Sequence, residues 1–108
     1  MWSGPASLYV LLALADGPAH GLGVAENVAE FTDGSVLLGP GTLYRCLKDL
    51  ASAGFVERVP SPDSDNHHRK YYGLTPKGTG ELSSAVQELT RVTATAKTRL
   101  SRLLPKEA

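Results

Sequence analysis

The sequence predicts an α+β domain, mainly α, that ends in one long helix. Three observations carry this. An early run is apolar throughout and built of helix formers. Two amphipathic helical segments follow, punctuated by glycine and proline. Two short strand-like segments then lead into residues 76–104, which hold a helical period to the end. The 108 residues are room for one domain. A chain of this size buries only about 60–70% of its unfolded surface, so a leftover apolar helix face favours association with a second copy.

The first helix is expected over residues 8–15, Leu-Tyr-Val-Leu-Leu-Ala-Leu-Ala, where Asp16-Gly17-Pro18 stops it. Its unbroken apolarity predicts burial on most sides. His20-Gly21 opens a second helix, with Leu22, Val24, Ala25, Val28, Ala29 and Phe31 at helical spacing and Asp33-Gly34 as its turn. Residues 35–38, Ser-Val-Leu-Leu, read as a brief strand. A third helix is expected over 40–53, with Pro40 at its first position. Leu43, Cys46, Leu47 and Leu50 share one face, and Thr42, Arg45, Lys48, Asp49 and Ser52 the other. Gly54 stands where a left-handed terminator is wanted.

Residues 55–59 and 69–74 read as the strands of a hairpin, joined by the polar, turn-rich residues 60–68. Thr75 is suited to cap the final helix and Pro76 to begin it. That helix would be ~43 Å long. Along it Leu82, Val86, Leu89, Val92, Ala96, Leu100 and Leu103 recur every three or four residues, a coiled-coil-like stripe. Five threonines between Thr79 and Thr98 weaken its intrinsic helicity, so a partner surface is expected to support it.

Three helices followed by a hairpin is the winged helix-turn-helix order, in which the third helix enters the DNA major groove and the second braces it. The polar face of the third helix suits that task. Arg45 and Lys48 can donate to guanine, and Thr42 and Ser52 can bond phosphate or base edges. Tyr44, at the flank, can offer its hydroxyl to a phosphate. The hairpin, or wing, adds Arg58, Arg69 and Lys70, with His67 and His68 beside them. Asp63 and Asp65 at its tip would repel phosphate, so contact is expected from the basic strand. The competing reading is a solvated amphipathic helix and an ordinary charged hairpin. Net charge is zero, yet residues 1–40 contain no Lys or Arg, and all eleven basic residues lie from Arg45 onward. Such asymmetry hints at a polyanion-binding face.

Other classes are disfavoured. A lone cysteine, Cys46, excludes an internal disulfide and a cysteine-based zinc finger, and suits a reducing cytoplasm. His20, His67, His68 and Cys46 make a poor metal set, because Cys46 falls on the predicted core face; no metal or other cofactor is expected. No nucleophile elbow or phosphate-binding loop is present, so an enzyme is not expected. The early apolar run is too short to span a bilayer and lacks the basic start of a signal peptide; a cytoplasmic protein without membrane contact is expected.

Three blocks resemble the PadR family of bacterial transcriptional regulators. They are residues 9–21, YVLLALADGPAHG; residues 38–44, LGPGTLY, with Leu47, Leu50 and Gly54-Phe55-Val56; and residues 69–78, RKYYGLTPKG. They occur in family order and spacing. The resemblance implies a homodimer with one recognition helix and one wing per subunit, repressing by operator occupancy. It also implies relief by a small molecule in many members. The single final helix resembles the short-tailed branch, in which it is the dimerisation element. Two positions depart from the pattern. Leu22 stands where an aromatic is frequent, which puts core packing at the second helix in doubt. Arg45 stands where proline is frequent, and adds a base or phosphate contact particular to this chain.

The expected division is therefore 1–75 as a winged helix-turn-helix DNA-binding domain and 76–108 as a dimerisation helix of the same compact unit. The expected partners are double-stranded DNA bearing an inverted repeat and a second copy of the chain. A planar aromatic effector is expected near the two-fold axis, among Trp2, Leu8, Tyr9, Leu12, Val86, Leu89, Val92 and Thr93. The alternative there is a filled interface without a cavity. Trp2 alone has three readings: a disordered terminus, packing on the dimer helix, or a wall of the effector site. The rival to DNA binding is a winged-helix module that binds proteins only.

Overall fold

A computed structural model describes residues 5–61 and 69–105. Trp2, Asp63, Asp65, His67 and His68 lie outside the described residues. Helix α1 (Pro5–Leu14) leads to a two-residue strand β1 (Ala19–His20) and helix α2 (Gly21–Phe31). Helix α3 (Pro40–Ser52) precedes the hairpin strands β2 (Val56–Val59) and β3 (Tyr71–Leu74), and α4 (Pro76–Leu103) follows.

Helix α1 is the centre of the domain, touching α2, α3, α4 and β3. Val10, Leu11 and Leu14 are buried, as its unbroken apolar run requires. They meet Val24 and Val28 of α2, the Leu43, Leu47 and Leu50 ridge of α3, and Val56 of β2. Cys46 is half-buried on that same side of α3, with its Sγ 3.8 Å from Ser7 Oγ of α1. It behaves as a small core side chain, as expected of an unpaired cysteine.

The sheet has three antiparallel strands in the order β1-β3-β2. Ala19 and His20 pair with Tyr72 and Tyr71, and Val56 pairs with Leu74 across the hairpin. The third strand is therefore Ala19–His20, not residues 35–38. The apolar run at 35–38 is irregular, because the α2 terminus fixes its path. Thr32 Oγ1 donates to Val28 O at 2.7 Å and accepts the Val36 N–H at 3.1 Å. Asp33 and Gly34 turn the chain with positive φ. Val36 and Leu38 then pack against the core while Leu37 is 77% exposed.

Helix α3 ends in a Schellman turn, with Gly54 at φ +83°, Phe55 N bonded to Leu50 O and Gly54 N to Ala51 O. The carbonyls of Ala53, Gly54 and Phe55 are taken by the start of α4. Lys77 Nζ donates to Ala53 O (2.8 Å), Thr75 Oγ1 to Gly54 O (2.6 Å) and Thr75 N to Phe55 O (3.1 Å). Thr75 Oγ1 also accepts the Gly78 N–H at 3.0 Å, capping α4. Lys77 lies over the Phe55 ring, 5.1 Å from its centroid. Gly78 sits so close that a Cβ there would overlap the Phe55 carbonyl.

Two glycines two residues apart on α4 should therefore respond oppositely. Gly78→Ala forces the clasp apart and should destabilise the fold by about 1–3 kcal/mol. Gly80→Ala meets nothing within 4 Å and should stabilise by about 0.5–1 kcal/mol through helix propensity. Thr75→Ala should lose about 1–2 kcal/mol with its cap. Urea unfolding at a fixed protein concentration measures all three.

Candidate nucleic-acid interface

The polar side chains of α3 emerge as the sequence predicts. Packing of Leu43, Leu47 and Leu50 onto α1 leaves Thr42, Arg45, Lys48 and Ser52 exposed along the outer face. Arg69 and Lys70 are exposed immediately before β3. Arg58 of β2 stands opposite Tyr72, with its guanidinium carbon 5.8 Å from the ring centroid, so it is a cross-strand partner within the wing.

Three of the expected DNA-binding residues converge. Tyr44, Arg69 and Lys70 line a hollow of about 390 Å³ together with His20, Gly21 and Leu22. Tyr44 leans across the start of α2, where a Cβ on Gly21 would stand 2.8 Å from its hydroxyl oxygen. Thr42, Arg45, Lys48 and Ser52 do not line this hollow; they form the separate outward face of α3. Leu22, 57% exposed, is part of the hollow's wall, so the absence of an aromatic there leaves the core packing untouched.

His20 is the residue that sequence reasoning missed. In the sequence it marks a helix start, falls in the family-like block 9–21 and makes an unconvincing metal ligand, with no sign of a role beside the wing. Its ring Nδ1 accepts the Gly23 N–H at 3.1 Å and so caps α2. Its Nε2 lies 2.9 Å from Arg69 Nη1, and its ring meets Tyr71 edge-on at 5.3 Å. The pair His20 and Arg69 is 49 residues apart, beyond any local pattern. No group of three or more metal-ligating side chains occurs among the described residues.

Helix α4 carries the other candidate surface. Its first turns pack on the domain, with Ala85 buried and Leu82 and Leu89 half-buried. Beyond residue 89 every described side chain is exposed, including Val92, Ala96, Leu100 and Leu103; Val86 is exposed too. Of the expected effector set, Val86, Leu89 and Thr93 line one hollow of about 390 Å³ on α4, and Val92 lines another with Ala96. Leu8 is buried, Leu12 half-buried, and Tyr9 packs against Phe31 at 6.1 Å between ring centroids. No helix among the described residues is long and apolar enough to cross a membrane.

Comparison with known proteins places this geometry. Residues 10–84 match the transcriptional regulator PadR-like family. A PadR family transcription regulator from Clostridium difficile superposes with a TM-score of 0.77 at 26% identity, over 90% of this chain and 99% of that one. A transcriptional regulator from Clostridium thermocellum shares the fold, with a TM-score of 0.75 at 20% identity over 86% and 87% of the two chains. An uncharacterized 37.1 kDa protein of a Streptomyces fradiae transposon is 30% identical over 92 residues. That match takes in 85% of this chain but only 25% of the Streptomyces protein, so the chain spans a quarter of that relative's length. The winged helix-turn-helix with its long final helix, and the match over residues 10–84, make the chain a member of the PadR-like family of transcriptional regulators, a family of DNA-binding proteins and not of enzymes.

Proposed function

We propose that the chain acts as a homodimeric repressor that occupies an inverted-repeat operator. The observation that carries the reading is the stripe of exposed apolar side chains on α4, a helix whose first turn is bonded to the end of α3. In this reading residues 1–75 are the DNA-binding lobe and 76–108 the dimerisation helix. Pairing two copies along Val86, Leu89, Val92, Ala96, Leu100 and Leu103 would cover the stripe and relate the two α3 helices by a two-fold axis. Half-sites about one helical turn apart, ~34 Å or a multiple, would match that symmetry. Arg45 reads a base edge from the outer face of α3, and Arg69 and Lys70 hold phosphate.

Relief of repression by a flat, mostly apolar effector has narrower support: the hollow at Val86, Leu89 and Thr93, lined chiefly by apolar surface. The ligand acts only if it binds two dimer geometries unequally. Trp2 is the sole tryptophan. Planar aromatic compounds should change its fluorescence over the concentrations that release DNA, and a panel that leaves both unchanged removes the effector reading.

Light scattering at micromolar concentration should give a dimer, and Leu89→Asp should split it by placing a charge in the seam. A wild-type monomer that still binds DNA would sink the dimer reading. In DNA titrations Lys70→Ala should weaken binding to every sequence and lower the salt slope by about one unit. Arg45→Ala should relax preference at one base pair, a loss of about 1–3 kcal/mol. Equal weakening on operator and unrelated DNA would make Arg45 a phosphate contact instead.

A further inference from the structure

We infer that His20 and Arg69 form a seat for a phosphate group in the hollow between α2, α3 and the wing, with His20 donating from Nε2. The inference rests on the DNA-binding reading above, in which Arg69 and Lys70 hold phosphate, and adds His20 as a donor to the same group.

The argument begins with a conflict between two contacts. A neutral imidazole has one N–H and one lone-pair nitrogen. His20 Nδ1 accepts the Gly23 N–H, so Nδ1 carries the lone pair and Nε2 the proton. Arg69 has donors only, and its Nη1 lies 2.9 Å from that same Nε2. Two N–H groups thus face one another. Moving the proton to Nδ1 would let Arg69 donate to Nε2, but would set Nδ1–H against the Gly23 amide. Protonating both nitrogens would make both contacts repulsive. The cap is the contact that holds, because the Gly23 amide belongs to the first turn of α2, where no intrahelical acceptor exists. Arg69 is exposed and has water as an alternative.

An anion removes the conflict. With the exposed Arg69 side chain shifted aside, an oxygen seated beside the imidazole accepts from His20 Nε2 and from the guanidinium together, and a second oxygen of the same phosphate can take the other arm of the fork. Lys70 and the Tyr44 hydroxyl line the same hollow and supply a further charge and a further donor. Among the described residues its lining contains no carboxylate. The hollow adjoins Tyr44 of α3, so a duplex lying on the outer face of that helix would bring its backbone past this point. The source favoured is therefore a DNA phosphodiester, although inorganic phosphate offers the same oxygens.

His20→Asn is the discriminating variant. Asparagine is a favoured N-cap and can keep the Gly23 bond, but it is too short to reach the seat. Its thermal midpoint should match wild type, while affinity for a mixed-sequence duplex falls about tenfold, the scale of one hydrogen bond to a charged group. The salt slope should not change, since a neutral donor releases no counterion, whereas Arg69→Gln should lower it by about one unit. The double variant should lose less than the sum of the two, because both groups hold one phosphate. Nitrogen-15 spectra of free wild type should show the His20 ring proton on Nε2, identified by its absence from His20→Asn. Inorganic phosphate and the duplex are then titrated separately. A shift of that proton with the duplex alone assigns the seat to the backbone, and a shift with phosphate as well makes it a general phosphate site. A ring proton on Nδ1, wild-type affinity in His20→Asn, or no shift with either titrant overturns the seat. If wild type binds no duplex, the DNA-binding reading fails, and the phosphate titration alone decides the seat.

Discussion

Helix α3 cannot end without leaving main-chain carbonyls to satisfy, and buried carbonyls must find donors. The Schellman turn at Gly54 uses those of Leu50 and Ala51. The oxygens of Ala53, Gly54 and Phe55 then face the first turn of α4, where Lys77 and Thr75 donate to them. This clasp decides where α4 starts and in which direction it leaves the domain. It also sets the hairpin, since Val56 and Leu74, the residues next to the clasp on either strand, are paired. The path of α4 and the attitude of α3 thus follow from one small set of hydrogen bonds.

Packing does the complementary work. Helix α1 has no polar face to offer solvent, so the other elements gather round it. Because α3 gives its leucine ridge to α1, its opposite face is free to carry Thr42, Arg45, Lys48 and Ser52. The surface proposed to meet DNA is thus one that contributes little to the packed core. Helix α4 contrasts with this: only its first half finds a place on the domain, and its exposed leucines have no role within a single copy.

What could be read in the sequence was whatever repeats at a fixed spacing. The helices carry a 3.6-residue period, and their ends carry proline, glycine and threonine signals, so α3 and α4 lie within a residue or two of expectation. The strands were harder. Two residues, Ala19 and His20, show no period at all, and the largely apolar residues 35–38 fit a strand as well as a linker that plugs the core. For the candidate site, the exposed face of α3 follows from its own periodicity. The juxtaposition of His20 with Arg69 does not, because it depends on pairing His20 with Tyr71 across the sheet. An imidazole acting as a helix cap is also outside the usual Ser, Thr, Asp and Asn signals.

The clasp has one further property. Its acceptors are peptide carbonyls, which every amino acid possesses, while two of its three donors are the particular side chains of Thr75 and Lys77, and the close approach needs a residue without a side chain at Gly78. Sequence drift is therefore constrained on one side of the joint far more than on the other. At position 53, an exposed helix end engaged through its main chain, many residues would serve. At 75 and 78 few would. The chemistry of this junction therefore asks for a short constrained stretch at the root of the last helix, and asks nothing of the exposed side chains that α3 carries beside it.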